Sequence, residues 1–241
     1  MKNVLLIHGF PQELSDEHPL CTFFSSRKYK IFAPKMFSGE KEFSLDNAIR
    51  IIKECVGKNR LHLILGFSLG GMILPYIAKE YPDAKIIFVS TGIRFQPRYL
   101  FHKASAELMR TPMIYPAFWL ARMMPYPLFS SLYGYFNPCR KNDDPKWYEQ
   151  DKKCNYDVIR SMDPGKARKI LDLIVRIDNA SVLKKLKNRT LILAGEDDVL
   201  MPMKGSKELQ EQISGSRLVS VKKGHFGVIE RSSLEMIDGF I

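Results

Sequence analysis

The sequence predicts an α/β fold: about six mostly parallel strands covered by helices on both faces, with a mainly helical insertion. Three observations carry this expectation. Short continuous apolar runs of strand length alternate with helical patterns from Asn3 to Ser90 and again from Thr190 to the end of the 241 residues. Strands that are apolar at every position, not every second one, belong to a parallel sheet buried on both faces. Residues 94–188 break the rhythm, offering no alternating strand while being rich in aromatic, Met, Pro and basic residues. The expected organisation is a core of residues 1–93 and 189–241 that carries residues 94–188 as an insertion.

Taken in order, Asn3 to His8 reads as a buried strand closed by the turn HGFP. Glu17 to Arg27 suits a helix, and Tyr29 to Ala33 a strand stopped by Pro34. Ser44 opens a helix with Asp46 in its first turn. Leu45, Ala48, Ile49, Ile52 and Val56 share one face, and Gly57 follows as the stop. Leu61 to Leu65 is the next strand, Leu69 to Glu80 a helix and Lys85 to Ser90 a further strand. After the insertion come Thr190 to Ala194 (strand), Lys204 to Ile213 (helix), Arg217 to Val221 (strand) and Val228 to Ile241 (helix).

Composition excludes several classes. An apolar fraction of 45% with 26% charged residues is that of a globular chain, not a disordered one. The VLLI run near the start is too short for a signal peptide core. The apolar stretch from Leu61 to Ala78 is broken by Gly66, Ser68, Gly70, Gly71 and Pro75, as strand, tight turn and helix require. Cys21, Cys55, Cys139 and Cys154 stand far apart with no C-x-x-C pair, which suggests free thiols and a cytoplasmic protein. The net charge of +11 is concentrated: residues from Ile93 to Arg189 hold 19 Lys/Arg against 9 Asp/Glu, and the remainder is close to balanced. A solvated basic face is the plain reading of that excess, and weak attraction to anionic substrates or surfaces the functional one. No nucleic-acid motif accompanies the charge, so nucleic acid is not an expected partner.

Reactive groups of a parallel sheet gather in loops at the carboxyl ends of its strands. Three such loops carry matching chemistry. GFSLGG, residues 66–71, lies between a predicted strand and a predicted helix and matches G-x-S-x-G, a turn so sharp that its neighbours must be small. Such a loop exposes Ser68 as a nucleophile at a helix N-terminus. GEDDVLMP, residues 195–202, follows the strand TLILA, and either Asp197 or Asp198 has the carboxylate needed to orient a histidine. KGHFGVIE, residues 223–230, offers His225 as general base and acid. The other histidines, His8, His18, His62 and His102, carry no such pattern; His8 reads as a structural turn residue. Each loop alone is weak evidence. Their order, Ser then Asp then His, each just after its own strand, is what joins them.

On these residues the chain resembles the α/β-hydrolase superfamily over nearly its full length, the insertion less so than the core. HGFP resembles the turn after the family's third strand, GFSLGG its nucleophile elbow, GEDDVLMP its acid loop and GHFGVIE its histidine loop. The family's first two strands have no counterpart here. The resemblance implies Asp198 as the acid, three residues after Gly195 and four before Pro202. It also implies backbone N–H groups of Phe10 and Leu69 as the oxyanion hole, and Glu230 as a structural residue. Gln12 and Glu13 follow HGFP, where relatives often place a small residue.

The insertion sits where this family commonly carries its cap. The stretch AFWLARMMPYPLFSSLYGYF, residues 117–136, offers Trp119, Met123, Met124 and Phe129 as candidate walls of an acyl or aromatic pocket, or as packing between cap and core. The expected activity is that of a serine hydrolase (esterase-like) cleaving a carboxylic ester of a small-molecule acyl or aromatic substrate. Neither a metal nor an organic cofactor is implied. A thioester, amide or C–C bond would suit the same triad, and a ligand-binding protein with slow turnover would suit the same fold.

Overall fold

The computed structural model describes residues 1–11, 13–37, 43–136, 145–225 and 227–241. Six strands form one sheet: β1 (Asn3–Ile7), β2 (Lys30–Phe32), β3 (Leu63–Phe67), β4 (Lys85–Val89), β5 (Thr190–Gly195) and β6 (Arg217–Val221). All neighbours pair in parallel, in the order β2-β1-β3-β4-β5-β6. The strand order reverses at β1, so the carboxyl ends of β1 and β3 flank the crevice where doubly wound sheets bind ligands.

Alternation along the strands builds two cores. Leu5, Ile7, Ile64, Ile86, Phe88 and Ile192 face one side, against α2 (Leu45–Val56) and α3 (Leu69–Ala78). Val4, Leu6, Leu63, Leu65, Ile87, Val89, Leu191 and Leu193 face the other, against α1 (Pro19–Ser26) and α11 (Arg231–Phe240). A strand buried on both faces has no use for a polar alternate residue, which is why these runs are continuous in the sequence. Ser44 caps α2 by accepting the N–H of Asn47 at 3.2 Å, and Gly57 closes it in a left-handed conformation, φ 57°.

Boundaries differ from expectation where burial and hydrogen bonding part company. The apolar run suggests a strand over Leu61–Leu65, yet the ladder runs from Leu63 to Phe67, with Phe67 level with Val89. Leu61 is buried without being a strand residue. The last helix begins at Arg231, not at Val228, because Val228 and Ile229 fill the second core from the preceding loop. α1 starts at Pro19, with His18 as its N-cap.

Between β4 and β5 the described residues form α4 (Leu100–Met109), α5 (Ile114–Met123), α6 (Tyr126–Phe136), α7 (Pro145–Ser161), α8 (Pro164–Arg176) and the short α9 (Ala180–Leu183). Asp163 caps α8 ahead of Pro164, accepting the N–H of Lys166 at 2.8 Å. α8 anchors this segment to the core: Ile170 is buried in the first core, and the buried Lys166 donates its Nζ to the carbonyl of Phe37 at 2.6 Å. α4 buries no residue and α5 only Ile114. Cys21 is buried and Cys55 exposed; Cys139 lies outside the described residues.

His18 links the fold to pH. Its Nδ1 accepts the N–H of Leu20 at 3.2 Å, and burial, aided by nearby His8, lowers its pKa from 6.5 to about 4. The unfolded chain therefore binds this proton below pH 6.5 while the folded chain refuses it until about pH 4. The stability that neutral His18 supports is complete above pH 6.5, falls as the pH drops towards 4, and levels off below. His18→Asn keeps the helix cap and removes the titration. Thermal melts across this window are expected to show wild type losing roughly 1–3 kcal/mol more than the variant. Parallel losses in both proteins would exclude His18 as the source.

Candidate active site

Four strand ends build the site. After β3 the chain turns at Ser68, whose backbone is left-handed at φ 51°, ψ −118°, and enters α3 directly. A non-glycine residue in that region is strained, and the surroundings hold it there. The Ser68 N–H donates to the carbonyl of Val89 at 2.9 Å, its carbonyl accepts the N–H of Met72 at 3.1 Å, and the Thr91 hydroxyl donates to that same carbonyl at 2.9 Å. Glycines make the turn possible. A Cβ on Gly70 would sit 2.0 Å from the carbonyl oxygen of Ile7, and one on Gly66 would sit 2.6 Å from the carbonyl oxygen of Gly70. Gly71 meets Thr91 with the same closeness.

The acid comes from the loop after β5. Asp198 is fully buried, and its Oδ1 accepts the N–H groups of Leu200 at 2.9 Å and Met201 at 2.8 Å. Two backbone donors on one oxygen fix the carboxylate and leave Oδ2 aimed elsewhere. Asp197 stays half-buried, its N–H donating to the carbonyl of Lys223 at 3.1 Å. That contact, with the Glu196 N–H on the carbonyl of Val221 at 2.9 Å, ties the acid loop to the chain leaving β6. Gly195 is required there, because a Cβ would stand 2.5 Å from the Lys223 carbonyl oxygen.

The loop after β6 brings His225 back across β5 and β4 to β3. Its Nδ1 lies 2.7 Å from Asp198 Oδ2, and its Nε2 lies 2.9 Å from Ser68 Oγ. With Nδ1–H donating to the carboxylate, Nε2 is the acceptor for the serine hydroxyl. Ser68 is 9% exposed and His225 5%, so the chain of three is shielded from bulk water. The structure thus gathers Ser68, Asp198 and His225, which lie as much as 157 positions apart in sequence.

At the end of β1, Gly9 packs so tightly that a Cβ would lie 2.9 Å from the Ser68 Cβ. Phe10 follows next to it, and Leu69 is the first residue of α3, where N–H groups have no intrahelical acceptor. Leu69 thus follows the serine directly, and Phe10 follows the glycine packed against it. His8 is buried, with Nδ1 3.0 Å from the carbonyl oxygen of Gly9 and its ring edge-on to Phe37 at 4.7 Å. Gln12 and Phe226 lie outside the described residues.

The candidate pocket residues are more dispersed. Trp119 and Met123 are 63% and 64% exposed on α5. Met124 is half-buried just after α5, and its carbonyl accepts the Tyr156 hydroxyl at 3.0 Å. The ring of Phe129 packs against Tyr133 and Tyr156, between α6 and α7. Sequence reasoning missed four residues that hold the site. Phe37 packs on both His8 and Phe10 and is itself held by Lys166. The Ser90 hydroxyl, on a residue of φ 46°, donates to the carbonyl of His225 at 2.9 Å. Lys223, nearly fully buried, pairs with Glu230 at 3.0 Å across the His225 loop. Thr91 fixes the elbow. The left-handed residues have no sequence signature when they are serines, and the ion pair reads as two ordinary surface charges. Among the described residues, no three His, Cys, Asp or Glu side chains are grouped as a metal ion requires.

A family model described as alpha/beta hydrolase fold matches residues 2–232. Among solved structures, a bromoperoxidase from Bacillus anthracis superimposes with a TM-score of 0.77 at 17% identity, covering 99% of this chain and 91% of that one. An enol-lactonase from Burkholderia xenovorans LB400 gives a TM-score of 0.71 at 16% identity, covering 99% and 90%. An esterase from Exiguobacterium antarcticum gives 0.71 at 16%, covering 100% and 91%. At such identities the likeness is one of fold. No curated protein matches.

The elbow geometry generates a stability test. Gly70→Ala drives a methyl into the Ile7 carbonyl and is expected to lower the melting temperature by on the order of 10 °C, or to prevent folding. Gly239→Ala, exposed in α11 with nothing near its new Cβ, is expected to be neutral or slightly stabilising. Equal melting temperatures for Gly70→Ala and wild type would contradict the close approach of α3 to β1.

Proposed function

The chain belongs to the α/β-hydrolase family, and on that premise we propose that it is a serine hydrolase cleaving a carboxylic ester through an acyl-enzyme. One observation carries the reading: a buried imidazole bonded on one side to a buried carboxylate at 2.7 Å and on the other to a serine hydroxyl at 2.9 Å. The esterase and the enol-lactonase among the similar folds support it as precedents for ester chemistry on this architecture.

In the proposed cycle Ser68 Oγ attacks the ester carbonyl while His225 Nε2 takes the hydroxyl proton. Asp198 stabilises the imidazolium and keeps its tautomer. The carbonyl oxygen, now negative, receives the N–H groups of Leu69 and Phe10; removing one oxyanion donor costs roughly 10²–10³ in turnover where the donor is a side chain. Collapse of the tetrahedral species breaks the ester C–O bond, and His225 returns its proton to the departing alkoxide. Water then attacks the acyl carbon with His225 again as base, releasing a carboxylic acid and regenerating Ser68. We assign residues 94–188 the role of a cap, with the acyl group lying between the inserted helices and the rim of the sheet.

A fluorophosphonate probe and a series of aryl esters of increasing acyl length test this directly. Wild type is expected to be labelled, and Ser68→Ala to lose both the label and about 10³–10⁶ of the turnover. Asp198→Asn preserves the shape of the acid loop and is expected to lower kcat about 10⁴-fold. Undiminished labelling of Ser68→Ala would overturn the assignment of the nucleophile.

A further inference from the structure

Among the described residues twelve large apolar side chains are exposed, and every one except Met1 lies between Tyr99 and Leu132. They are ordered. On α5, Tyr115, Trp119 and Met123 recur every fourth residue and make one stripe, while the helix packs with α7 and α8. Leu128 on α6 is 50% exposed as well, and Leu100 and Phe101 open α4, being 80% and 64% exposed. α5 carries a single charge, Arg122, in ten residues. A helix apolar on all sides is normally covered on all sides, and contiguous exposed apolar surface marks an interaction site.

Charge identifies what covers it. From Tyr99 to Phe136 the only acid is Glu107, which is paired with Arg110. Exposed Arg98, Lys103 and Lys153 belong to the same inserted segment, which holds nearly all of the net positive charge of the protein. A second copy of the chain would bring like charge against like. A surface of anionic lipid headgroups over acyl chains offers both complements: aromatic and aliphatic side chains enter the boundary, while Lys and Arg remain at headgroup level. No described helix is long and apolar enough to cross a membrane, so the contact lies in the plane of the interface. We propose that the outer face of α4–α6 seats this protein on an anionic membrane surface. The seat is independent of the chemistry at Ser68.

Flotation with vesicles tests the proposal, using phosphatidylcholine mixed with phosphatidylglycerol and phosphatidylcholine alone. The whole protein is expected to float with the anionic vesicles, and at least about tenfold less with the neutral ones or in high salt. The double variant Trp119→Gln/Met123→Gln changes only exposed side chains and is expected to keep its melting temperature while losing about tenfold or more in vesicle partition. Trp119 also reports directly. The only other tryptophan is Trp147, and in Trp147→Phe the emission of Trp119 is expected to shift to the blue on binding. The idea is overturned by any of three results: no flotation with anionic vesicles, flotation unchanged in the double variant, or self-association abolished by that variant without vesicle binding. The last would assign the face to a second copy.

Discussion

The contact between the start of α3 and the end of β1 is the constraint on which the rest of this structure depends. A parallel sheet places β1 and β3 side by side, and Ile7 stands level with Gly66. Because the helix leaving β3 turns at once, Gly70 lies directly on the Ile7 carbonyl, with no room for a methyl group. That closeness forces Ser68 into a left-handed backbone and lifts its side chain above the sheet. It also sets Gly9 against the Ser68 Cβ, so the turn after β1 and the elbow after β3 form one rigid surface. Ser68 and the expected oxyanion donors are therefore positioned by backbone packing, the kind of fixed arrangement that needs no reorganisation where charge develops.

Histidine placement is a different problem, because His225 must cross the ends of two strands from a loop. The fold answers with ties on several sides. Ser90, at the end of the strand in the middle of the crossing, donates to the His225 carbonyl. The Lys223 carbonyl receives the Asp197 N–H, so the acid loop and the histidine loop hold each other. The Lys223 side chain then reaches Glu230, closing the eight residues that contain His225. A buried lysine is expensive to leave without its counter-ion, so this loop has strong reason to keep one shape. The imidazole is thereby held to both neighbours within ordinary hydrogen-bond distance.

How much of this the sequence reveals follows from which forces leave a local trace. Burial on both faces writes continuous apolar runs, so strands such as Val4–Ile7 and Ile86–Val89 can be read directly. Steric closeness writes glycine, so GFSLGG and the Gly195 turn are legible. Long-range hydrogen bonds write nothing. Ser90, Thr91 and Lys223 support the site through contacts with residues from 7 to 135 positions away, and each looks like an ordinary loop residue. Apolarity alone does not fix placement: Val228 and Ile229 look helical and are loop residues in the core, while Trp119 and Met123 are as apolar as core residues and are more than half exposed. Hydropathy records that a side chain prefers to leave water, without recording what it meets instead.

That last distinction separates the two parts of the molecule. In the sheet and its flanking helices, apolar residues are matched by other apolar residues, and the charges nearly cancel. In the inserted segment α8 performs the same service, through Ile170 in the core and Lys166 on the Phe37 carbonyl. Phe37 in turn packs on His8 and Phe10, next to the serine. α8 and one phenylalanine thus join the inserted segment to the turn expected to bind the oxyanion. α8 thereby gives the inserted segment a side settled against the core, and the exposed residues of α4–α6 are the apolar surface that the sheet and its helices do not match.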